Sequence, residues 1–177
     1  MISVVIPMPD DDPALIETLA ALVAGIAEGV LRDAVIVGPP STRVDDMAEA
    51  AGTARVVVEG TWADMVKAGA LAARADYCLI IGAGLVPTGS WPIALFDGIG
   101  QIYEASEAGL LPLSPRPGLI ESMKTTFLTQ KALLTGYPDP RHAVLAKRST
   151  LLAGATKFRL FRLGASVNDR KIHRSSR

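Results

Sequence analysis

Four short apolar segments limit how this chain can fold. Each is rich in β-branched residues, and each is separated from the next by a segment with helical periodicity. The four segments are residues 2–7 (ISVVIP), 34–38 (AVIVG), 55–59 (RVVVE) and 77–82 (YCLIIG). This alternation is typical of βαβ units stacked around a parallel sheet. The sequence therefore predicts an α/β protein with three layers, α/β/α, in which helices cover both faces of a mostly parallel sheet.

The segments between these strands carry signals for helix starts. Asp12 precedes Pro13, and an N-cap acid followed by proline predicts a helix that runs to about Glu28. Thr61 and Asp64 have the spacing of a capping box, which predicts the start of another helix. For the first helix the pattern predicts one buried apolar face, formed by Leu15, Leu19, Leu22, Val23 and Ile26.

Beyond residue 92 the pattern is less regular. Ser90 and Pro92 indicate a helix start, and this helix is predicted to extend to about residue 109. The rest is predicted to be a turn-rich connector at 110–118, a helix at 118–136, late strands at 143–147 and 158–163, and a frayed end at 171–177.

The size of the chain indicates one domain, 1–177. It has 177 residues, 49% of them hydrophobic, which is enough for one substantial core but short for two. Cys78 is the only cysteine and lies in an apolar strand, so we expect a buried thiol. His142 and His173 stand 31 positions apart and lack the spacing of metal ligands. From these residues we predict neither a bound metal nor a cofactor.

Charge is distributed unevenly along the chain. Residues 1–64 contain 11 acids and 3 bases, whereas residues 141–177 contain 10 bases and one acid, Asp169. Such a split indicates that the basic tail meets an anionic group, either in the chain's own acidic half or on a phosphate, a lipid surface or nucleic acid. No nucleic-acid recognition module is discernible, so we expect no nucleic-acid partner.

The basic tail also bears on localisation. KFRLFRL alternates bases with Phe158, Leu160, Phe161 and Leu163. This pattern fits either a half-buried strand or a basic, apolar face against an anionic membrane. Because the chain begins with strand residues and no basic leader, we expect a cytoplasmic protein, at the inner face of the membrane if the tail binds lipid. Self-association into a homo-oligomer stays open.

The loops after the strands are the expected ligand site, because ligands of open parallel sheets bind outside the carboxyl ends of the strands. A dinucleotide fingerprint is disfavoured, since its third glycine position holds Pro87. The candidate site residues in these loops are Pro7, Asp10, Gly38, Ser41, Thr42, Gly82 and Gly84.

The order and spacing of these pieces resemble the amino-terminal half of family 2 glycosyltransferases of the GT-A fold. That family typically has VVIPTxN at the first strand, VDDGSTD at the second, and GxxxAxNxGxxxAxGD before a strand that ends DADxxxxP. The resemblance covers about residues 2–92 and rests on Val4, Val5, Ile6, Pro7, Ser41, Thr42, Ala72, Ala75, Asp76 and Pro87.

The resemblance implies a nucleotide-binding half at 1–92 and a reduced acceptor half at 93–177. It also implies transfer of a sugar from a nucleotide-sugar to an acceptor. Two departures bear on that activity: Gly38 and Pro39 stand where the family has acids that contact the base, and residues 82–84 (GAG) stand where its Asp-x-Asp holds a divalent metal. Hard cations need carboxylate oxygens, so the metal site is missing. The diphosphate would then lack charge neutralisation worth several kcal/mol in the transition state.

Other residues are candidates to replace this chemistry. Bases that could meet a diphosphate are Lys67, Arg74, Arg141, Lys147 and Arg148, of which Lys67 is assigned to the nucleotide-sugar site. Asp139 is the acid placed like the family's catalytic base, although its turn-like PDP setting equally suits a structural role. Two hypotheses follow. The chain is either a glycosyltransferase-like enzyme that is metal-independent or catalytically impaired, or a non-catalytic module that keeps the fold and binds a protein partner or itself.

Overall fold

The computed structural model describes residues 1–114 and 119–169. Its strands are β1 Ile2–Pro7, β2 Leu31–Gly38, β3 Ala54–Val57, β4 Tyr77–Ile80, β5 Leu85–Thr88, β6 Glu107–Leu111, β7 Ala143–Lys147, β8 Arg159–Arg162 and β9 Ser166–Asp169. Its helices are α1 Leu15–Ala27, α2 Thr42–Ala50, α3 Trp62–Ala72, α4 Trp91–Gln101, α5 Leu119–Thr135 and α6 Arg148–Leu152.

Seven strands form one sheet in the order β3-β2-β1-β4-β7-β6-β8. Every neighbouring pair is parallel except the two that involve β7, which runs antiparallel to both β4 and β6. The short strands β5 and β9 form a separate antiparallel pair. The predicted α/β architecture with a mostly parallel sheet is therefore confirmed.

Helices cover both faces of this sheet because its strands are apolar on both sides. Val4 and Ile6 of β1 face the core beneath α1, α2 and α4, whereas Val5 between them faces the core beneath α3, α5 and α6. Alternate residues of a strand point to opposite faces, so a continuous apolar run requires a helical layer on each side. The result is the predicted three-layer arrangement.

Several sequence-based boundaries are wrong. Strands β5, β6 and β9 are missed, and α4 ends at Gln101 because β6 begins within the segment predicted to be helical. In α1 the helix begins at Leu15, where the Asp12 carboxylate accepts a hydrogen bond from the Ala14 N–H at 2.9 Å instead of capping from the predicted position. The expectation for residues 115–118 and the predicted frayed end lie outside the described residues.

The predicted buried face of α1 is also partly wrong. Val23 and Ile26 are 59% and 57% exposed, and the buried positions include Thr18 and Gly25 instead. The helix has apolar side chains on both sides, so hydrophobicity alone cannot indicate which side meets the sheet. The small residues Thr18 and Gly25 allow neighbouring elements to approach α1 closely. At Gly25, for example, the Trp91 ring of α4 packs directly against the helix backbone.

Thr18 joins α1 to the loop after β4. Its buried hydroxyl donates to the Leu85 carbonyl at 3.0 Å and accepts from the Gly84 N–H at 2.9 Å. Gly84 has φ +85°, a left-handed conformation that suits glycine because a Cβ is strained there. The loop is thus held by one buried side chain.

We expect Gly69→Ala to destabilise the fold. A Cβ at Gly69 of α3 would lie 2.3 Å from Val5 Cγ1, so α3 would have to move away from β1. Overpacking of this kind costs about 1–3 kcal/mol, which exceeds the gain of about 1 kcal/mol in helix propensity. Gly100→Ala in α4 is the control, because no atom lies within 4 Å of its Cβ position. Urea unfolding, monitored by circular dichroism, measures the free energy of unfolding of both variants. A Gly69→Ala protein as stable as the parent would contradict the close packing of α3 on β1.

We expect Thr18→Val to loosen the loop after β4. Valine keeps the volume but leaves the buried Gly84 N–H and Leu85 carbonyl without their shared partner, at a cost of about 1–3 kcal/mol in the free energy of unfolding. Thr126→Val is the matched control, since that exposed hydroxyl only donates to Ser122 O within α5. Hydrogen exchange at the Gly84 amide measures the effect, and unchanged protection in Thr18→Val would show that the hydroxyl does not hold the loop.

Candidate ligand crevice at the carboxyl edge of the sheet

The loops after β1 and β4 enclose a cavity of about 340 Å³. The pairing of β4 with β7 explains the position of this cavity. Ile80, at the end of β4, pairs with Val144, near the start of antiparallel β7, so the loop after β4 and the loop before β7 lie at the same edge of the sheet. The described lining residues are Pro7, Met8, Pro9, Asp10, Asp12, Trp62, Gly82, Ala83, Leu85, Pro140, Arg141 and Asp169. Three of the predicted site residues, Pro7, Asp10 and Gly82, are thus brought together.

The cavity has an acidic lining. Asp10, Asp12 and Asp169 contribute carboxylates, and Arg141 is the one base among the described lining residues. The pKa of the Arg141 guanidinium is raised, first by its hydrogen bonds to Asp139 and to a smaller extent by Asp169, which is only 8% exposed. An anionic ligand in this cavity therefore depends on Arg141 for charge complementarity.

Arg141 is oriented by Asp139. Its Nε donates to one carboxylate oxygen at 2.8 Å and its Nη2 to the other at 2.9 Å. This bidentate ion pair lowers the pKa of Asp139 to about 2. A carboxylate with so low a pKa accepts protons weakly, and Asp139 lines a neighbouring cavity rather than the 340 Å³ one. The geometry gives Asp139 a positioning role toward Arg141.

The loop after β2 is closed by backbone contact. A Cβ at Gly38 would lie 2.2 Å from the Met8 carbonyl oxygen, so no side chain fits there unless the two loops separate. Ser41 caps α2 by accepting from the Val44 N–H at 3.3 Å, and it also donates to Asp11 at 2.9 Å. The predicted residues Gly38 and Ser41 therefore hold the loops together rather than lining the larger cavity.

Arg55 is a residue of this region that the sequence reasoning missed. Its side chain is 12% exposed, forms a 2.9 Å ion pair with Asp45, and donates to the carbonyls of Gly38 and Pro39. Between Arg55 and the loops after β1 and β2 there remains a cavity of about 40 Å³. That space suits about one water molecule and is too small for a nucleobase. In sequence, the three consecutive valines that follow Arg55 do not show on which side of the strand Arg55 lies.

Residues 82–84 do not fit a divalent cation in the manner of an Asp-x-Asp pair, because they contribute no carboxylate. At Gly82 a Cβ would have ordinary contacts, 3.4 Å from Pro140 O and from the Trp62 ring. At Gly84 the positive φ disfavours any residue that has a Cβ. Among the described residues no group of three or more His, Cys, Asp or Glu side chains is arranged to hold a metal ion.

The remaining predicted residues lie elsewhere. Thr42 is the exposed first residue of α2 and Lys67 is exposed on α3, and neither is among the described residues that line the 340 Å³ cavity. Arg148 donates to the Ala70 and Leu71 carbonyls, where it stabilises the carboxyl end of α3. Lys147 Nζ donates to the Tyr103 carbonyl at 2.8 Å. Of the candidate bases, Arg141 alone is a described lining residue.

No helix in the described part of the chain is both long and apolar enough to cross a membrane.

Comparison with known proteins gives similarity of fold but not of sequence. No family model matches the chain, and no curated protein matches it in sequence. A mycobacterial protein of known structure is 14% identical with a TM-score of 0.56, and the match covers 95% of this chain and 65% of that one. Glucosyl-3-phosphoglycerate synthase from Mycobacterium tuberculosis in complex with phosphoglyceric acid is 18% identical with a TM-score of 0.55, covering 84% and 57%.

A second structure of that synthase contains Mn²⁺, uridine diphosphate and glucosyl-3-phosphoglycerate. It is 16% identical with a TM-score of 0.53, and the match covers 99% of this chain and 75% of that one. This chain therefore spans 57–65% of the length of the first two neighbours. At such identities the likeness concerns architecture alone. The chain has a three-layer α/β/α fold with a mostly parallel sheet, of the GT-A type that these glycosyltransferases share.

Proposed function

We propose that this protein is glycosyltransferase-like and takes the diphosphate part of a nucleotide-sugar into the 340 Å³ cavity without a metal held by residues 82–84. The position of that cavity carries the proposal, because it lies at the carboxyl ends of β1 and β4, where open parallel sheets bind ligands. The M. tuberculosis synthase of similar fold has been solved with Mn²⁺ and uridine diphosphate, which supports a nucleotide-sugar as the ligand class.

The proposed site differs in electrostatics from a metal-dependent one. The diphosphate would approach Asp10, Asp12 and Asp169, with Arg141 as the base described among the lining residues. One guanidinium can bind two phosphate oxygens in a bidentate manner, but it neutralises less charge than a divalent cation. We therefore propose that binding is weak and depends on Arg141, and that transfer is impaired or slow.

Titration calorimetry tests this proposal. We expect uridine diphosphate and its glucose ester to bind with an affinity that manganese and a chelator leave unchanged. Arg141→Ala should weaken binding at least tenfold, about 1.4 kcal/mol, because it removes the cation from the cavity. Lys67→Ala is the matched control, since it removes an exposed base that does not line the cavity.

Two outcomes contradict this assignment. Binding that manganese strengthens tenfold or more would show that side chains outside residues 82–84 hold a metal. If the folded protein binds no nucleotide with manganese or with a chelator, a nucleotide-sugar is excluded as the ligand and the second candidate function below remains.

A second candidate function, an interaction module, is favoured by helix α5. Five large apolar side chains of this helix are 65–85% exposed, namely Leu119, Ile120, Met123, Phe127 and Leu134. At about 100° per residue they fall within an arc of about 100° on one side of the helix. The opposite side, which meets the sheet, carries Thr125, Thr129 and Ala132. We call the five exposed residues the α5 apolar face.

Basic residues border the α5 apolar face. Lys124 and Lys131 lie next to it on the helix, Lys124 in a 2.8 Å ion pair with Glu121, and neighbouring β8 carries the exposed Arg162. An apolar helix face with a basic border is typical of segments that lie in the interface of an anionic membrane. Each base near such a surface contributes about 1 kcal/mol of attraction. We therefore propose an anionic lipid surface as the occupant of this face.

Vesicle sedimentation tests the second candidate. We expect the protein to bind vesicles of phosphatidylserine and phosphatidylcholine, to bind pure phosphatidylcholine far less, and to lose binding in high salt because the attraction is screened. The double variant I120E/F127E should lose most of the binding. I16E/V23E is the matched control, because Ile16 and Val23 are each 59% exposed on α1, a different helix.

The same variants separate this proposal from self-association. If I120E/F127E changes the oligomeric state on sizing columns and leaves vesicle binding unaltered, the α5 apolar face meets another copy of the chain and the lipid assignment is wrong.

A further inference from the structure

A second cavity of about 220 Å³ lies on the other side of the loop before β7. Its floor is formed by Ile80 and Val144, neighbours on β4 and β7, and its walls include Trp62 and Val66 of α3 and Leu151 of α6. The sheet is left partly uncovered here because α3 and α5 pack over different strands. Most of the lining is apolar, with Asp139 and Thr156 as polar exceptions, so the cavity favours a ligand with an apolar body.

One buried polar group in the lining has no partner. His142 lines the cavity and is only 3% exposed, and among the described residues nothing forms a hydrogen bond with its Nδ1. Buried polar atoms in native proteins are nearly always satisfied, and leaving one unpaired is costly. Water has almost no access to that atom, so a partner for Nδ1 has to enter the cavity and displace the side chains that cover it.

The hydrogen bonds around His142 decide which kind of partner Nδ1 requires. The Thr129 hydroxyl donates to the Thr125 carbonyl at 3.1 Å, so its proton is used and its oxygen is left to accept. That oxygen lies 3.5 Å from His142 Nε2, which therefore carries the ring proton. Burial lowers the pKa of His142, so the ring is neutral. Nδ1 is then an acceptor that needs a donor.

We propose that this cavity is a binding site for a small neutral molecule with an apolar body and one hydroxyl group that donates to His142 Nδ1. An engineered apolar cavity of about 150 Å³ holds benzene, so 220 Å³ has room for a substituted ring or a branched chain of similar size. An anionic head is disfavoured because the ionised carboxylate of Asp139 lines the same cavity and the other walls are mostly apolar.

The site is separate from the nucleotide-sugar cavity but adjoins it. Trp62 and Pro140 line both cavities, so they form the wall between them. Binding here requires neither a nucleotide nor Arg141. Trp62 also provides a fluorescence signal for a ligand in the cavity, in contrast to Trp91, which is buried in the other core.

Paired phenol and ether probes test the proposal on the full chain. We expect 4-ethylphenol to bind saturably and to change Trp62 fluorescence. 4-Ethylanisole, its methyl ether, has nearly the same shape but no donor, and should bind at least tenfold more weakly. Nitrogen NMR of the histidine ring should show the Nδ1 resonance shifting only with the phenol, because only the phenol donates to it.

Two variants test separately the hydrogen bond to Nδ1 and the volume of the cavity. His142→Phe removes the acceptor and should erase the preference for the phenol over the ether. Ala155→Phe places a ring on the cavity wall while keeping His142, and should abolish binding of both probes. Ala20→Phe, at an exposed position of α1, is the control for the added ring.

Three results would overturn the proposal: no saturable binding of either probe to the folded parent protein, equal affinity for the phenol and the ether, or retained binding in Ala155→Phe. If His142→Phe fails to fold, the comparison of the two probes and the Ala155→Phe variant still decide. Nucleotide titrations decide the proposed function independently, since they use a different ligand and a different residue.

Discussion

The burial of β1 on both faces is the constraint on which the rest of the structure depends. Every residue from Ile2 to Ile6 is 0% exposed, so no ligand can reach β1 from either face of the sheet. Only the ends of this strand remain available, and the loops there carry the polar groups that a covered strand cannot hold. This is why both cavities lie at the carboxyl edge, next to the loop that precedes antiparallel β7.

At this edge, the backbone itself limits which residues fit at two glycines. The Met8 carbonyl fills the space beside Gly38, and Arg55 binds the carbonyls of the same loop. Thr18 holds Gly84 in a conformation that disfavours side chains. An acid at Gly38 therefore requires the loops to separate, and an acid at Gly84 has to adopt a strained backbone conformation. Gly82 differs, because a side chain there meets only ordinary contacts.

Parts of the fold were predictable because they rest on local signals. The apolar runs of β1 and β4 and the capping box of Thr61 and Asp64 appear in the structure as predicted. Strand β6, EAGLL, was not predictable from its own residues, because Gly109 is a poor strand former. This segment is a strand because it pairs with β7 and β8. The places of Arg141 and His142 beside the two cavities likewise depend on how distant segments pack, which spacing along the chain does not reveal.

Helix α5 shows how a chain can expose an apolar face without destabilising its core. Thr125 and Thr129 are buried against the sheet, yet each hydroxyl donates to a carbonyl one turn earlier in the same helix, at 2.9 Å and 3.1 Å. These bonds satisfy the polar atoms within the helix, so the sheet need supply no partner and the inward threonines pack through their methyl groups. The apolar residues are then free to point outward. Because Thr129 uses its proton in this way, its oxygen can accept from His142 Nε2 at 3.5 Å, which favours the tautomer that leaves Nδ1 as an acceptor.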